Sequence, residues 1–334
     1  MVFSEIKIKN KILKNRLIIP PMALRKASDE GFVTEELLEY YHNITSDKNM
    51  ALVIVEHAYV DIKGKAHINQ LGIDNSNKIE GLSQLTKVIH DNDTLCIAQI
   101  SHAGQATTSV DTGYPTVGVS DVAFGKRNSP DEILNKEEIE KLIDYFARSA
   151  LIAKESGFDG VEIHSAHGYL LNQFYSKYTN RRNDEYGGSI SNRLNIHKEI
   201  VRAIRKNVGN DFLVFIRLGL IDYNMEGNDE TDAINAINIL KDEEIDVFDI
   251  SGGLTGYMAK AQSSDAGYFK EITEKVKEII SIPVILTGGV TKLEEARCLL
   301  NNKKADIIGV GRSVFYNNHW LKDELKKENL KWLI

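Results

Sequence analysis

Gly160-Val161-Glu162-Ile163-His164-Ser165-Ala166-His167-Gly168-Tyr169-Leu170-Leu171-Asn172-Gln173-Phe174 is the stretch on which the reading of this chain turns. Its start, with Val161 and Ile163, has the short apolar form of a buried strand. It ends in proton-handling side chains: His164, His167 three residues on, and Tyr169 two beyond that. Gly168 lies between His167 and Tyr169, where it eases a tight turn. Three hydrogen-bonding groups therefore leave one strand end together. Two imidazoles could hold a substrate oxygen while the phenol reaches a neighbouring atom. The plainer alternative is that each histidine is a satisfied loop residue.

Moving outward, similar apolar runs recur at residues 17–19, 51–55, 95–100, 160–163, 212–218, 247–250, 283–286 and 306–310. Helical spacing fills the intervals. Thr34 caps a helix over 35–45, and residues 81–90 place Leu82, Leu85 and Ile89 on one face. Asn135 and Glu138 form a capping box for a helix running to about residue 155. After a turn at 184–189, Ser189 or Ser191 can cap a helix to Val208. Further helices are expected at 231–241, 268–280, 292–300 and 320–328.

Eight strands alternating with helices imply an α/β fold with a parallel sheet, closed as a (β/α)8 TIM barrel. A single domain over residues 1–334 is expected. The rival, an open doubly wound sheet, carries a Gly-rich turn after its first strand, but Pro20-Pro21-Met22 stands there. Residues 101–134, rich in Gly, Thr, Ser and Pro, are too long for a simple connector and are expected to be a functional loop or lid.

In a barrel, residues just past the strand ends converge on one face. That rule gathers Pro21, Met22, Gln99, His102, His164, His167, Tyr169, Arg217, Ser251, Gly252, Gly288, Gly311 and Arg312. Thr287-Gly288-Gly289-Val290 follows the seventh strand. Gly309-Val310-Gly311-Arg312 follows the eighth and opens a helix. Glycine amides, a helix start and a forked cation at this position suit a phosphate. Arg217 should face an anion or developing negative charge, or else pair with an acid such as Glu162. Gln99 suits a heterocycle with a mixed hydrogen-bonding edge, or bonds a neighbouring loop.

The chain has 334 residues, 42% hydrophobic and 27% charged, enough for a large core. A net charge of −7 does not support a nucleic-acid surface, and no apolar run reaches membrane-span length. The N-terminus has no secretory pattern, and a cytoplasmic location is expected. Cys96 and Cys298 are read as reduced, buried thiols.

Taken together, these residues resemble the Old Yellow Enzyme family, the FMN-dependent ene-reductases also described as NADH:flavin oxidoreductases. The resemblance runs from Asn15-Arg16-Leu17-Ile18-Ile19-Pro20-Pro21-Met22 to Gly309-Val310-Gly311-Arg312. Its most specific part is the run from His164 to Phe174, continued by Asn180, Arg182, the stretch from Asp184 to Ser189, and Asn192-Arg193. The resemblance implies FMN as cofactor, NADH or NADPH as hydride donor, and small-molecule activated alkenes as substrates. Hydride would pass through flavin N5 to the β-carbon of the alkene.

By the same resemblance, Pro21, Met22 and Ala23 would line the flavin, and Gln99 would meet its pyrimidine edge. Arg217 would sit near N1 and O2. Gly288, Gly311 and Arg312 would hold the phosphate. His164 and His167 would bind the substrate carbonyl, and Tyr169 would protonate the α-carbon. Residues 184–193 would support the site. Relatives of this kind imply a homo-oligomer, and the net charge and apolar runs above argue against a nucleic-acid or membrane partner.

The chain also departs from the pattern. Ala23 stands where Cys or Thr is common, Arg25 where one subgroup has a substrate-contacting Tyr, and Gln105 where Arg is common. Longer relatives, resembling dienoyl-CoA reductases and trimethylamine dehydrogenase, add an iron–sulfur cluster. Two cysteines cannot supply its four thiolates. Two other classes remain open at this point. One is a metal-dependent hydrolase using His164 and His167 with Glu162 or Asp184. The other is a non-catalytic flavin-binding module.

Overall fold

Alternate residues of a β-strand face opposite sides, and in this chain both sides are buried. In the computed structural model, which describes residues 1–223, 226–256 and 265–328, the two sides sort into two apolar layers. Ile18, Leu52, Ile54, Ile97, Leu213, Phe215, Val247, Ile285 and Ile307 form the inner layer. Their strand neighbours, such as Val53, Val161, Val214 and Phe248, join the larger layer shared with the helices.

The strands are β1 (Ile6–Ile8), β2 (Lys11–Leu13), β3 (Leu17–Ile19), β4 (Leu52–Tyr59), β5 (Leu95–Ser101), β6 (Val117–Gly118), β7 (Glu132–Ile133), β8 (Gly160–Ser165), β9 (Leu213–Ile221), β10 (Val247–Gly252), β11 (Val284–Thr287) and β12 (Ile307–Gly309). Eight of them close a barrel in the order β10-β11-β12-β3-β4-β5-β8-β9, every pair parallel. This is the expected (β/α)8 architecture. Thr34 caps α1 (Glu35–Thr45), and Asn135 with Glu138 forms the capping box of the long helix Lys136–Glu155. Among the described residues, no helix is long and apolar enough to cross a membrane.

The structure differs from the expectation in four places. The antiparallel hairpin β1–β2 precedes the barrel, and its Ile8 and Leu13 pack into the inner layer. Strand β4 continues to Tyr59 rather than ending near Val55, and its register shifts between Val55 and Ala58. Glu56 and His57 break the apolar run in sequence, yet both are buried at that shift. Ser189 caps only the short helix Ile190–Arg193, after which a separate helix, Asn195–Val208, begins. Finally, Cys96 is buried but Cys298 is exposed.

Candidate active site

Read upward along the inner face of four of the strands, apolar residues give way to polar ones two positions on. Ile97 is followed by Gln99, Phe215 by Arg217, Val247 by Asp249 and Ile285 by Thr287. On β8 the inner positions are Glu162 and His164. Period-two geometry thus delivers a polar ring to the C-terminal mouth of the barrel. Above it lies a cavity of about 1120 Å³ lined by Pro21, Met22, Ala23, Gln99, His164, His167, Tyr169, Arg217, Gly288, Gly311 and Arg312. These are all eleven residues named as cofactor or catalytic candidates. His102 is not among the lining residues. Its Nδ1 accepts from the Gly104 amide at 3.0 Å, and its Nε2 faces Asp61 at 3.8 Å.

The loop after β8 is held from several sides. His167 and Gly168 both have positive φ, 62° and 74°. The Tyr169 amide closes the turn onto the Ala166 carbonyl at 3.1 Å, and the His167 amide donates to the Gly252 carbonyl at 3.1 Å. A non-glycine residue in the left-handed region is uncommon and strained, so surrounding contacts must hold His167 there. Asn172 Oδ1 accepts from the Gly168 amide at 2.8 Å, and Gln173 Nε2 donates to the Gly168 carbonyl at 2.8 Å. The Asn and Gln of the motif therefore fix its backbone.

The result is an aromatic cluster. The ring centroids of His164 and His167 are 5.1 Å apart, and those of His164 and Tyr169 4.9 Å. His167 Nε2 lies 2.7 Å from Ser251 Oγ. His164 Nδ1 is buried without a hydrogen-bond partner. Burial lowers the pKa of His164 and of His167, with Arg217 acting in the same direction. Both imidazoles are therefore neutral near pH 7 and can each offer one N–H. Burial raises Tyr169 to about 12, with the charges of Arg127 and Arg25 opposing the rise. That phenol keeps its proton until a strongly basic atom takes it.

Sequence reasoning missed His57. Its Nε2 lies 3.1 Å from the Tyr169 hydroxyl, and burial lowers its pKa to about 3. Glu56 beside it accepts from the Leu24 amide at 3.0 Å and so braces the segment after β3. Burial raises Glu56 to about 7. The available signal was a Glu-His pair at the end of a strand otherwise apolar.

Arg217 pairs with Asp249, Nε to Oδ2 at 3.2 Å, and not with Glu162. Glu162 instead accepts from Gln99 Nε2 at 2.7 Å. Register explains both, since Asp249 is the β-ladder neighbour of Arg217 and Glu162 that of Gln99. Burial raises the pKa of Glu162 and of Asp249, and the Arg217 charge offsets part of it. At the β11–β12 end, Arg312 Nη2 donates to the Tyr268 hydroxyl at 2.5 Å. Thr287 Oγ1 is buried without a hydrogen-bond partner.

Asp184 is taken by Arg182, with Nη2 2.5 Å from Oδ2. Among the described residues, the set of His, Cys, Asp or Glu atoms that converges as a metal site would is His90, Cys96 and Asp159. That set lies at the opposite end of the barrel.

Three kinds of comparison agree with this geometry. The model of the NADH:flavin oxidoreductase / NADH oxidase family matches residues 1–330. An NADPH dehydrogenase of Clostridium acetobutylicum is 32% identical over 330 residues, covering 98% of this chain and 96% of that protein. An NADH oxidase of Thermoanaerobacter brockii is 32% identical over 326 residues, which are 96% of this chain but 50% of that protein. The structure of an Old Yellow Enzyme homologue from Zymomonas mobilis superposes with TM-score 0.86 at 26% identity, covering 98% of this chain and 92% of that one. A 2-naphthoyl-CoA reductase in complex with 2-naphthoyl-CoA has TM-score 0.88 at 24% identity, a likeness of fold, covering 99% of this chain and 52% of the other. The chain thus spans about half the length of two of these proteins and nearly all of the other two.

Proposed function

The chain belongs to the NADH:flavin oxidoreductase / NADH oxidase family, and from that premise we propose that this FMN- and NAD(P)H-dependent oxidoreductase is an ene-reductase. When bound, FMN supplies a hydride taken from NAD(P)H to the β-carbon of an alkene activated by a carbonyl or nitro group. The residues of the chain fit that group. Gly288, Gly311 and Arg312 would hold the phosphate. A Cβ on Gly311 would come to 3.3 Å from Pro20 and 3.6 Å from the Met22 sulfur, filling the gap beside them. Gln99 and Arg217 would meet the pyrimidine edge, and Pro21, Met22 and Ala23 one face of the ring. The cavity exceeds the ~1,000 Å³ upper range of single-ligand pockets, which supports flavin and substrate sharing it.

The observation that carries the reading is the pair of neutral imidazoles beside a phenol that retains its proton. His164 and His167 hold the carbonyl oxygen, on which negative charge grows as hydride arrives. Tyr169 gives its proton to the α-carbon, which is then basic enough to take it. Residues 101–134 act as a lid over this end. The test is stopped-flow absorbance of the flavin, reduced by NAD(P)H and then mixed with cyclohexenone, a maleimide or a nitroalkene without oxygen. Reoxidation by at least one is expected, and none at all would end the ene-reductase reading.

A further inference from the structure

The lid carries a cation into the pocket. Phe124 and Arg127 close a hairpin turn through reciprocal backbone hydrogen bonds of 3.2 and 3.0 Å. Gln105 Nε2 anchors that turn, donating to the Val122 carbonyl at 2.8 Å and the Asn128 carbonyl at 3.0 Å. The Arg127 guanidinium rests on the Phe124 ring, 4.9 Å from its centroid, and lines the cavity. It lies directly over the loop that carries His167 and Tyr169. A Cβ on Gly168 would strike Arg127 Nη1 at 2.6 Å and Phe124 at 2.8 Å. Glycine is required there both for the turn and for the seat of this arginine.

Arg25, exposed and outside the cavity lining, is a second cation near this loop. It follows the Pro20–Ala23 floor with φ 57°, and its charge reaches His57, His67 and Tyr169. Neither guanidinium forms an ion pair with a described residue. The carboxylates that reach this corner are Asp111, which acts on His67 and accepts from Thr108 Oγ1 at 2.6 Å, and Glu56, which accepts from the Leu24 amide at 3.0 Å. A half-buried guanidinium without a counter-ion is costly. The half-buried Arg127 and the exposed Arg25, both acting on one reactive phenol, form on a protein of net charge −7 a local positive spot suited to a small anion.

We propose that Arg127 and Arg25 recognise an anionic group, a carboxylate or phosphate, carried by the substrate beyond its activated alkene. The naming of the carrier as an alkene rests on the ene-reductase reading. The recognition of the anion does not. Arg127 sits over Gly168, while Arg312 bonds the Tyr268 hydroxyl, so the anion would project from the part of a substrate beyond an oxygen seated on His164 and His167.

The holoenzyme is titrated, by the change in its flavin spectrum, with 4-hydroxybenzoate and with its methyl ester. The acid should bind more tightly. Arg127→Gln should remove about ten- to hundredfold of its affinity, the range for one charge-assisted contact. Arg25→Gln, being exposed, should remove only about threefold. The ester should change less than about twofold in either variant. Equal losses for acid and ester, or no preference for the acid in the unaltered protein, would overturn the inference.

The second arm compares reoxidation of the reduced enzyme by trans-3-benzoylacrylate and its methyl ester. Arg127→Gln should raise the concentration of acid needed for half-maximal rate and leave flavin reduction by NAD(P)H unchanged. A loss confined to the NAD(P)H step would assign the spot to the nucleotide's phosphates and overturn the inference. If neither alkene reoxidises the flavin while the acid still binds through Arg127, the ene-reductase reading fails and the anion site stands.

Discussion

The two ends of the barrel treat buried charge in opposite ways. At the N-terminal end, Asp159, Asp246 and Asp306 each stand one residue ahead of a strand and repeat one clamp. The amide of Asp159 donates to the Cys96 carbonyl at 2.9 Å, and its carboxylate accepts from the Cys96 amide at 2.9 Å. Asp246 does the same with Val214 and Asp306 with Val284. Each carboxylate also meets basic side chains: Lys11 and His90 at Asp159, Arg205 and Lys9 at Asp246, Lys277 at Asp306. At the C-terminal end, His164 Nδ1, Glu162 Oε2, Arg217 Nε, both Asp249 oxygens and Thr287 Oγ1 are buried without hydrogen bonds. Buried polar groups are otherwise nearly always satisfied. One end therefore closes the fold, and the other keeps donors and acceptors in reserve for ligands.

If that contrast is right, the largest effects should come from the reserved end. Tyr169→Phe keeps the ring and removes the hydroxyl. Enone reduction should slow by about a hundred- to ten-thousandfold, while flavin reduction by NAD(P)H should barely change. Nitroalkenes should suffer less, because their reduced anion is stable without immediate protonation. Single-turnover traces of both half-reactions measure this. Equal slowing for an enone and a nitroalkene would show that the hydroxyl only anchors its loop.

Next in size is the imidazole pair. His167→Ala should slow alkene reduction on the order of a hundredfold, the usual cost of one donor to a developing oxyanion. It should also weaken phenol binding in an equilibrium titration. Unchanged binding and unchanged rates would mean that the Ser251 contact is structural, and that the reserved end is smaller than it looks.

Much of this contrast could be read from residue types and spacing. The eight apolar runs, the Thr34 and Asn135 caps and the crowding of His164, His167 and Tyr169 are local signals, and local signals survive in sequence. What did not survive was register. Asp249 lies 32 residues from Arg217, and only the β9–β10 ladder makes them neighbours. The alternative that Arg217 pairs with an acid holds, but the acid is Asp249 and not Glu162, the example that sequence proximity to the motif suggested. His57 was hidden by a strand that shifts register instead of ending. His102 sits past a strand end like the others, but the chain turns it toward Gly64 and Asp61. Arg127 belongs to the segment 101–134, which has no periodicity from which to place it. Cys298 lies in an apolar stretch, yet on the solvent side of the helix Leu293–Asn301, beside Asn302.

A smaller effect is expected at Arg312, proposed above to hold the cofactor phosphate. Arg312→Ala should cost about 1.5–3 kcal/mol of FMN affinity, the value of one charge-assisted contact. Fluorescence titration of the flavin-free protein with FMN reads it directly. An unchanged affinity would leave Arg312 as the partner of Tyr268 only.

The last prediction tests the satisfied end, where function should not respond at all. Asp159→Asn keeps the size of the side chain and one acceptor oxygen for the Cys96 amide. It removes the charge facing Lys11 and His90. Both half-reactions should stay within about twofold, and stability at pH 7 should fall by about 1.5–3 kcal/mol, the net value of a hydrogen bond to a charged group. The pH dependence has a definite sign. Hydrogen bonds from His90, Lys11 and the Cys96 amide hold the Asp159 carboxyl below its usual value against the opposing effect of burial. A depressed carboxyl contributes fully above its unfolded pKa, about 3.9, and loses that contribution as pH falls through the lower folded value. The difference in urea midpoint between the two proteins should therefore be constant from about pH 8 to pH 5 and narrow below about pH 4. A difference that instead opened on acidification would mean that the clamp does not hold this aspartate ionised. A loss of turnover without a loss of stability would mean that the two ends of the barrel are not as separate as their hydrogen bonds indicate.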